Sequence, residues 1–136
     1  MKIVVCIDDK NGMLFNKRRQ SKDRLLREDM LEFSQDRYLW MNEYSAAQFT
    51  ESADHIRIDE EFLEKASDDE FCLVENSDIA PYADRTHGVI IYRWNRTYPS
   101  DVKFPAELFS DRWKLVNVYE FAGSSHELIT REEYSL

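Results

Sequence analysis

Glycine is scarce in this chain, with three in 136 residues: Gly12, Gly88 and Gly123. The glycine-rich turns that let backbone approach a phosphate are therefore missing, and neither a P-loop nor a Rossmann G-x-G-x-x-G occurs. Histidine is as rare. His55, His87 and His126 each stand alone, with no H-x-H-x-D-H cluster. That excludes the two-zinc chemistry of a ribonuclease Z, whose metallo-β-lactamase fold also needs a much longer chain. No serine sits in a nucleophile elbow. The two cysteines, Cys6 and Cys72, have no metal or disulfide spacing and fall inside predicted strands. They read as buried free thiols of a reducing compartment. No apolar run approaches the roughly 20 residues of a membrane span. The opening MKIVVCIDD reaches its acids too soon for a signal peptide. The expected location is the cytoplasm, with no metal and no membrane contact.

What is present is a globular composition, 43% hydrophobic and 13% aromatic, in a chain long enough to bury a core as one domain, 1–136. The protein is acidic, with a formal charge of −9. Wholesale binding to nucleic acid or to an anionic membrane is therefore not expected. One segment runs against that charge. Between Lys10 and Arg27 there are seven basic residues and a single acid, Asp23, so this stretch carries +6 and the rest of the chain −15. A local site for an anion is compatible with that contrast.

Hydrophobic periodicity orders the elements. Ile3 to Ile7 is a continuous apolar run, as in a strand covered on both faces. A polar loop, 8–21, follows it. Leu26, Met30 and Phe33 then fall at i, i+4 and i+7 on one stripe of a helix over Lys22 to Phe33. Tyr38–Met41, His55–Ile58, Phe71–Val74 and Gly88–Trp94 read as further strands. Short helices are expected over Glu43–Phe49, from Asp59 to Ala66, and from Ile79. Residues 95–110 read as a polar connection. Trp113–Phe121 and His126–Tyr134 read as a hairpin joined by Ala122-Gly123-Ser124-Ser125. The predicted class is an α/β sandwich: a mostly parallel central sheet, short flanking helices and a C-terminal antiparallel hairpin.

That order of elements resembles the dihydrofolate reductase family. The similarity is carried by KIVVCIDDKNGML at the start, by EFCLVENSDIAPYADRTHGVIIYRW in the middle, and by Asp101, Phe104 and Pro105 at the position of a D-x-x-F-P motif. Trp113 and the terminal hairpin continue it. The resemblance implies a dihydrofolate reductase-like fold with a loop, 8–24, over the carboxyl ends of the strands. It also implies that Asp23, opening the first helix, stands roughly where the family holds a pterin-binding carboxylate, with Tyr92 on the strand facing it. An exposed first-turn acid and a packing tyrosine are the competing readings of these two residues.

The departures bear on activity. Where the family has a Gly-Gly turn at the cofactor's pyrophosphate, this chain has Val74-Glu75-Asn76; where it has a Gly-Arg phosphate segment, Met41-Asn42-Glu43-Tyr44 stands; the Pro-Trp of its loop is replaced near Arg18-Arg19. Ordinary NADPH-dependent folate reduction is not expected, and no cofactor is. The expected function is binding of a small anionic or nucleotide-like ligand, or of a partner protein, through the 8–24 loop, with Lys17, Arg18 and Arg19 as the clamp. A guanidinium offers a bidentate fork to phosphate or carboxylate, although a solvated loop balancing the acidic surface is the other reading of the same run. The alternative function is an NADPH-dependent reductase of a pterin or pyrimidine with an atypical cofactor site.

Overall fold

The computed structural model describes residues 1–136. Its centre is a seven-stranded sheet in the order β5-β4-β6-β1-β7-β10-β9. The strands are β1 (Lys2–Ile7), β4 (Leu39–Met41), β5 (Ile56–Ile58), β6 (Phe71–Leu73), β7 (Gly88–Arg93), β9 (Lys114–Phe121) and β10 (Ile129–Ser135). Five of them run parallel, with β1 between β6 and β7. The hairpin of β9 and β10 adds an antiparallel edge through β10 against β7. The expected architecture is therefore present.

Alternation along β1 divides the core. Ile3, Val5 and Ile7 enter one cluster with Phe62, Ile79, Phe104 and Phe109. Val4 enters the other, with Leu26 and Met30 of helix α1 (Arg24–Phe33) and with Tyr92, Trp94 and Ile129. The helices α2 (Glu43–Ala46) and α3 (Phe62–Lys65) are shorter than the pattern predicts, and the segment from Ile79 is a 3₁₀ turn, Ala80–Arg85, with Pro81 near its start. Pro81 supplies no N–H, so it is tolerated only in a first turn.

The segment read as a loop contains structure. β2 (Gly12–Phe15) and β3 (Arg18–Arg19) form a small hairpin, and β8 (Val102–Lys103), inside the supposed polar connection, completes a second sheet of order β3-β2-β8. Asn16 and Lys17 turn the hairpin with φ of 50° and 63°; two positive φ values match the right-handed twist of the flanking strands. Asp8 anchors the base. Its carboxylate, fully buried, accepts from the N–H of Gly12 (2.7 Å), Lys10 (2.9 Å) and Tyr98 (3.1 Å) and from Gln20 Nε2 (3.0 Å). Gly12 is required there, since a Cβ would come within 2.6 Å of Gln20 Nε2 and 2.7 Å of Ser100 Cβ. What hydrophobic periodicity could not show is this non-local pairing of two-to-four-residue strands.

Candidate functional site

The cleft between the β2–β3 hairpin and the turn after β6 is closed from within. Arg19 reaches across it to Glu75, Nε to Oε2 at 2.9 Å and Nη2 to Oε1 at 3.1 Å. Glu75 Oε1 also accepts from Ser45 Oγ (2.8 Å) and Gln48 Nε2 (3.2 Å). The guanidinium lies 4.4 Å from the Tyr44 ring centre and donates to the Tyr44 carbonyl. Arg19 and Glu75 side chains are only 18% and 10% exposed, so this pair is a wall and not a surface bridge. Behind it, among Cys6, Leu26, Met30, Leu73 and Trp94, a cavity of about 20 Å³ remains. A single water fits such a space; a fused ring does not. Cys6 lines it as an inert thiol: burial, and then Glu75, push its pKa far up.

The same turn bounds an open pocket of about 370 Å³ on its outer side. Met13, Val74 and Glu75 line both spaces and separate them. The outer pocket has an apolar floor (Val5, Ile79, Phe104) and a mixed rim that includes Asp78 and Lys103. A third space, a groove of about 510 Å³, runs along the hairpin between Phe15, Asn16, Arg18, Gln20, Tyr98 and Pro99, with Arg19 behind it. No carboxylate lines this groove. Arg18 is exposed above it, and Gln20 presents a buried Oε1 with no hydrogen-bond partner while its Nε2 is held by Asp8 and the Pro99 carbonyl.

Asp23 is not an exposed first-turn acid. It is 2% exposed and caps α1 through Leu26 N–H (3.1 Å). It also accepts from the N–H groups of Ser124 (3.0 Å) and Ser125 (2.9 Å) and from His126 Nδ1 (2.9 Å). Burial would raise its pKa, but the donors from Ser124, His126, Ser125 and Leu26 outweigh that and hold the carboxyl far below the ordinary range. His126 was expected in the second hairpin strand. It lies instead in the connection, because residues 122–126 fold back onto Asp23; a Cβ on Gly123 would meet Asp23 Oδ2 at 2.5 Å. Its Nε2 faces Ser21 Oγ (3.1 Å) and the Tyr98 hydroxyl (3.0 Å), and its ring stacks on Trp94 at 4.7 Å.

Of the five residues expected to bind ligand, the structure therefore gathers few. Lys17 and Arg18 are exposed at the hairpin tip; Arg19 turns inward to Glu75; Asp23 sits at the base of α1. Tyr92 is fully buried beneath α1, its hydroxyl donating to Asp29 Oδ2 (2.6 Å). Burial and the neighbouring Asp29 raise its phenol well above the usual range. Asp29 is held in turn by Arg131 Nη1 at 2.8 and 2.6 Å. Sequence reasoning missed Glu75 as a partner of Arg19, and missed Ser21, Tyr98 and His126 as one cluster. Their separations, 28 to 105 residues, leave no local signal. No group of three or more His, Cys, Asp or Glu side chains converges on a point that could hold a metal ion. No helix is long and apolar enough to cross a membrane.

No family model matches the chain, and no curated protein matches it in sequence. Among solved structures it is similar to the dihydrofolate reductase from Enterococcus faecalis, complexed with NADP(H) and RAB-propyl. The TM-score is 0.67, over 98% of this chain and 94% of that one, at 9% sequence identity. The chain thus has a dihydrofolate reductase-like fold, as its element order implied. Likeness at that identity speaks to the fold alone.

Proposed function

We propose that this dihydrofolate reductase-like domain does not carry out ordinary folate reduction and instead binds a small anionic, nucleotide-like ligand in the groove along the β2–β3 hairpin. The observation that carries the reading is the lining of that groove: an exposed guanidinium at Arg18, two aromatic rings at Phe15 and Tyr98, and no carboxylate, in a chain of net charge −9. A ring can stack between Phe15 and Tyr98 while Arg18, with Lys17 close by in sequence, takes the phosphate. The volume of about 510 Å³ lies within the usual range for small-ligand sites. Closure of the inner cleft by Arg19 and Glu75 supports the negative half of the proposal, since about 20 Å³ admits no pterin or nicotinamide.

The test is titration calorimetry of the pure chain with adenosine and guanosine monophosphates at low salt, beside absorbance at 340 nm with NADPH and a pterin panel. Binding is expected to weaken as ionic strength rises. Arg18→Ala is expected to lose roughly 10- to 100-fold in affinity, the worth of one charge-assisted contact of about 1.5–3 kcal/mol. NADPH oxidation would restore the reductase reading. Nucleotide binding untouched by Arg18→Ala would remove the groove.

A further inference from the structure

Ser21, His126 and Asp23 are connected in the order nucleophile, base, orienting acid. Ser21 Oγ stands 3.1 Å from His126 Nε2, and His126 Nδ1 stands 2.9 Å from Asp23 Oδ2. We propose that these three residues form a nucleophilic relay that hydrolyses small esters whose leaving group is anionic. The leaving-group part of this inference rests on the groove reading above; the relay itself does not.

The geometry meets the requirements of such a relay one by one. The acid must stay ionised and fixed. Asp23 is immobilised by the N–H groups of Leu26, Ser124 and Ser125, and those same donors favour its charged form. The base must present an unprotonated nitrogen to the nucleophile. An ionised Asp23 accepts the proton on Nδ1, which assigns the tautomer and leaves the Nε2 lone pair to the hydroxyls of Ser21 (3.1 Å) and Tyr98 (3.0 Å). The ring must not rotate, and Trp94, stacked at 4.7 Å and 27°, covers one face of it. The nucleophile must be reachable. Ser21 is half-buried and follows Gln20, which lines the groove. Tyr98, also of the groove, places its hydroxyl 3.0 Å from the same Nε2. Tyr98 therefore links the groove lining to the relay. Ser21 also borders the cavity of about 20 Å³, which has room for a carbonyl oxygen; Arg27, which lines it too, donates its Nε and Nη2 to Glu51 (3.0 and 3.3 Å). So small a space admits that oxygen alone and leaves no room for a long acyl chain.

The reaction balances without a further reagent. Ser21 Oγ bonds to the acyl carbon as its proton passes to His126 Nε2. The bond from that carbon to the leaving oxygen breaks, and the leaving oxygen takes the proton from Nε2. Water then adds to the acyl-serine, giving a proton to Nε2; the Oγ–carbon bond breaks and Oγ recovers the proton. The products are a short carboxylic acid and an alcohol that carries the anionic group.

The experiment treats the full chain with an alkyl fluorophosphonate and locates the adduct by peptide mass spectrometry, beside hydrolysis of p-nitrophenyl acetate. A single adduct on Ser21 is expected, absent from Ser21→Ala. His126→Gln should label roughly 10²- to 10⁴-fold more slowly, the usual contribution of a positioned base. Thermal melting of each variant shows whether it is folded, and Ser21→Ala, which removes one oxygen, keeps the test available if His126→Gln is not. No adduct on the folded wild type, an adduct on Tyr98 or elsewhere, or wild-type labelling of folded His126→Gln would overturn the relay. The probe carries no anion, so its reaction does not depend on the groove. Nucleotide binding without labelling removes the relay alone, and labelling without nucleotide binding removes the groove alone.

Discussion

Replacing Glu75 by glutamine keeps the side chain's length and one acceptor oxygen but removes its charge. Ser45 Oγ and Gln48 Nε2 can still donate to the amide oxygen. Arg19 cannot be neutralised by it. The guanidinium would then stand 18% exposed, with its two donations to a carboxylate reduced to one neutral contact at best. Breaking a fully buried pair by removing one partner costs about 3–5 kcal/mol, and partial exposure of both groups lowers that to about 2–3 kcal/mol here. With an unfolding entropy of about 2.1 cal/mol/K per residue, the melting temperature should fall by about 7–10 °C. Urea unfolding followed by tryptophan fluorescence is the assay. Arg19→Gln and the double variant complete a cycle whose coupling should exceed about 1 kcal/mol. A Glu75→Gln protein within about 0.5 kcal/mol of wild type would refute the reasoning, because the pair would then be a surface bridge that closes nothing.

Three further outcomes follow from the same contacts. Asp8 and Asp23 both have folded pKa values below their ordinary 3.8: burial opposes ionisation, and donated hydrogen bonds from Gly12, Tyr98 and Lys10 in one case, and from Ser124, His126 and Ser125 in the other, outweigh it. Their contribution is fully present above that ordinary value and is lost as pH falls through the lower folded one, so urea midpoints should drop steeply below it and less steeply in Asp23→Asn. Lys17 has φ of 63°, which glycine adopts without a Cβ clash; Lys17→Gly should stabilise the protein by about 0.5–1 kcal/mol, and a destabilised variant would show that the turn is held otherwise. Tyr92→Phe deletes the 2.6 Å bond to Asp29 and leaves Arg131 in place, so unfolding free energy should fall by about 1.5–3 kcal/mol; no change would mean the hydroxyl is not needed beneath α1.

The parts of this fold that sequence exposes are those written in a local period. The runs Ile3–Ile7 and Gly88–Arg93 are buried on both faces and read as strands at once. Leu26 and Met30 mark the inner face of α1. The second sheet escaped because β3 and β8 are two residues each, and β8 pairs with β2 from across the chain. The site escaped for a related reason. In the sequence Glu75 marks only the loss of a Gly-Gly turn, whereas its partner is Arg19, 56 residues earlier. His126 looked like one more isolated histidine until the hairpin connection brought it to Asp23, 103 residues away. The charge contrast of +6 over Lys10–Arg27 falls on the segment that folds as the β2–β3 hairpin and borders the groove. It could not tell that Arg19 is spent on closing a cleft while Arg18 stays free in solvent.

Ligand binding along the β2–β3 hairpin is tested most directly by a ¹H–¹⁵N correlation spectrum recorded while adenosine monophosphate is added to the labelled protein. Shifts are expected at the amides of Phe15 to Gln20 and at Tyr98, with Cys6 and Leu73 behind the Arg19–Glu75 pair unmoved. Shifts confined to Cys6, Leu73 and Val74, or none anywhere, would contradict it.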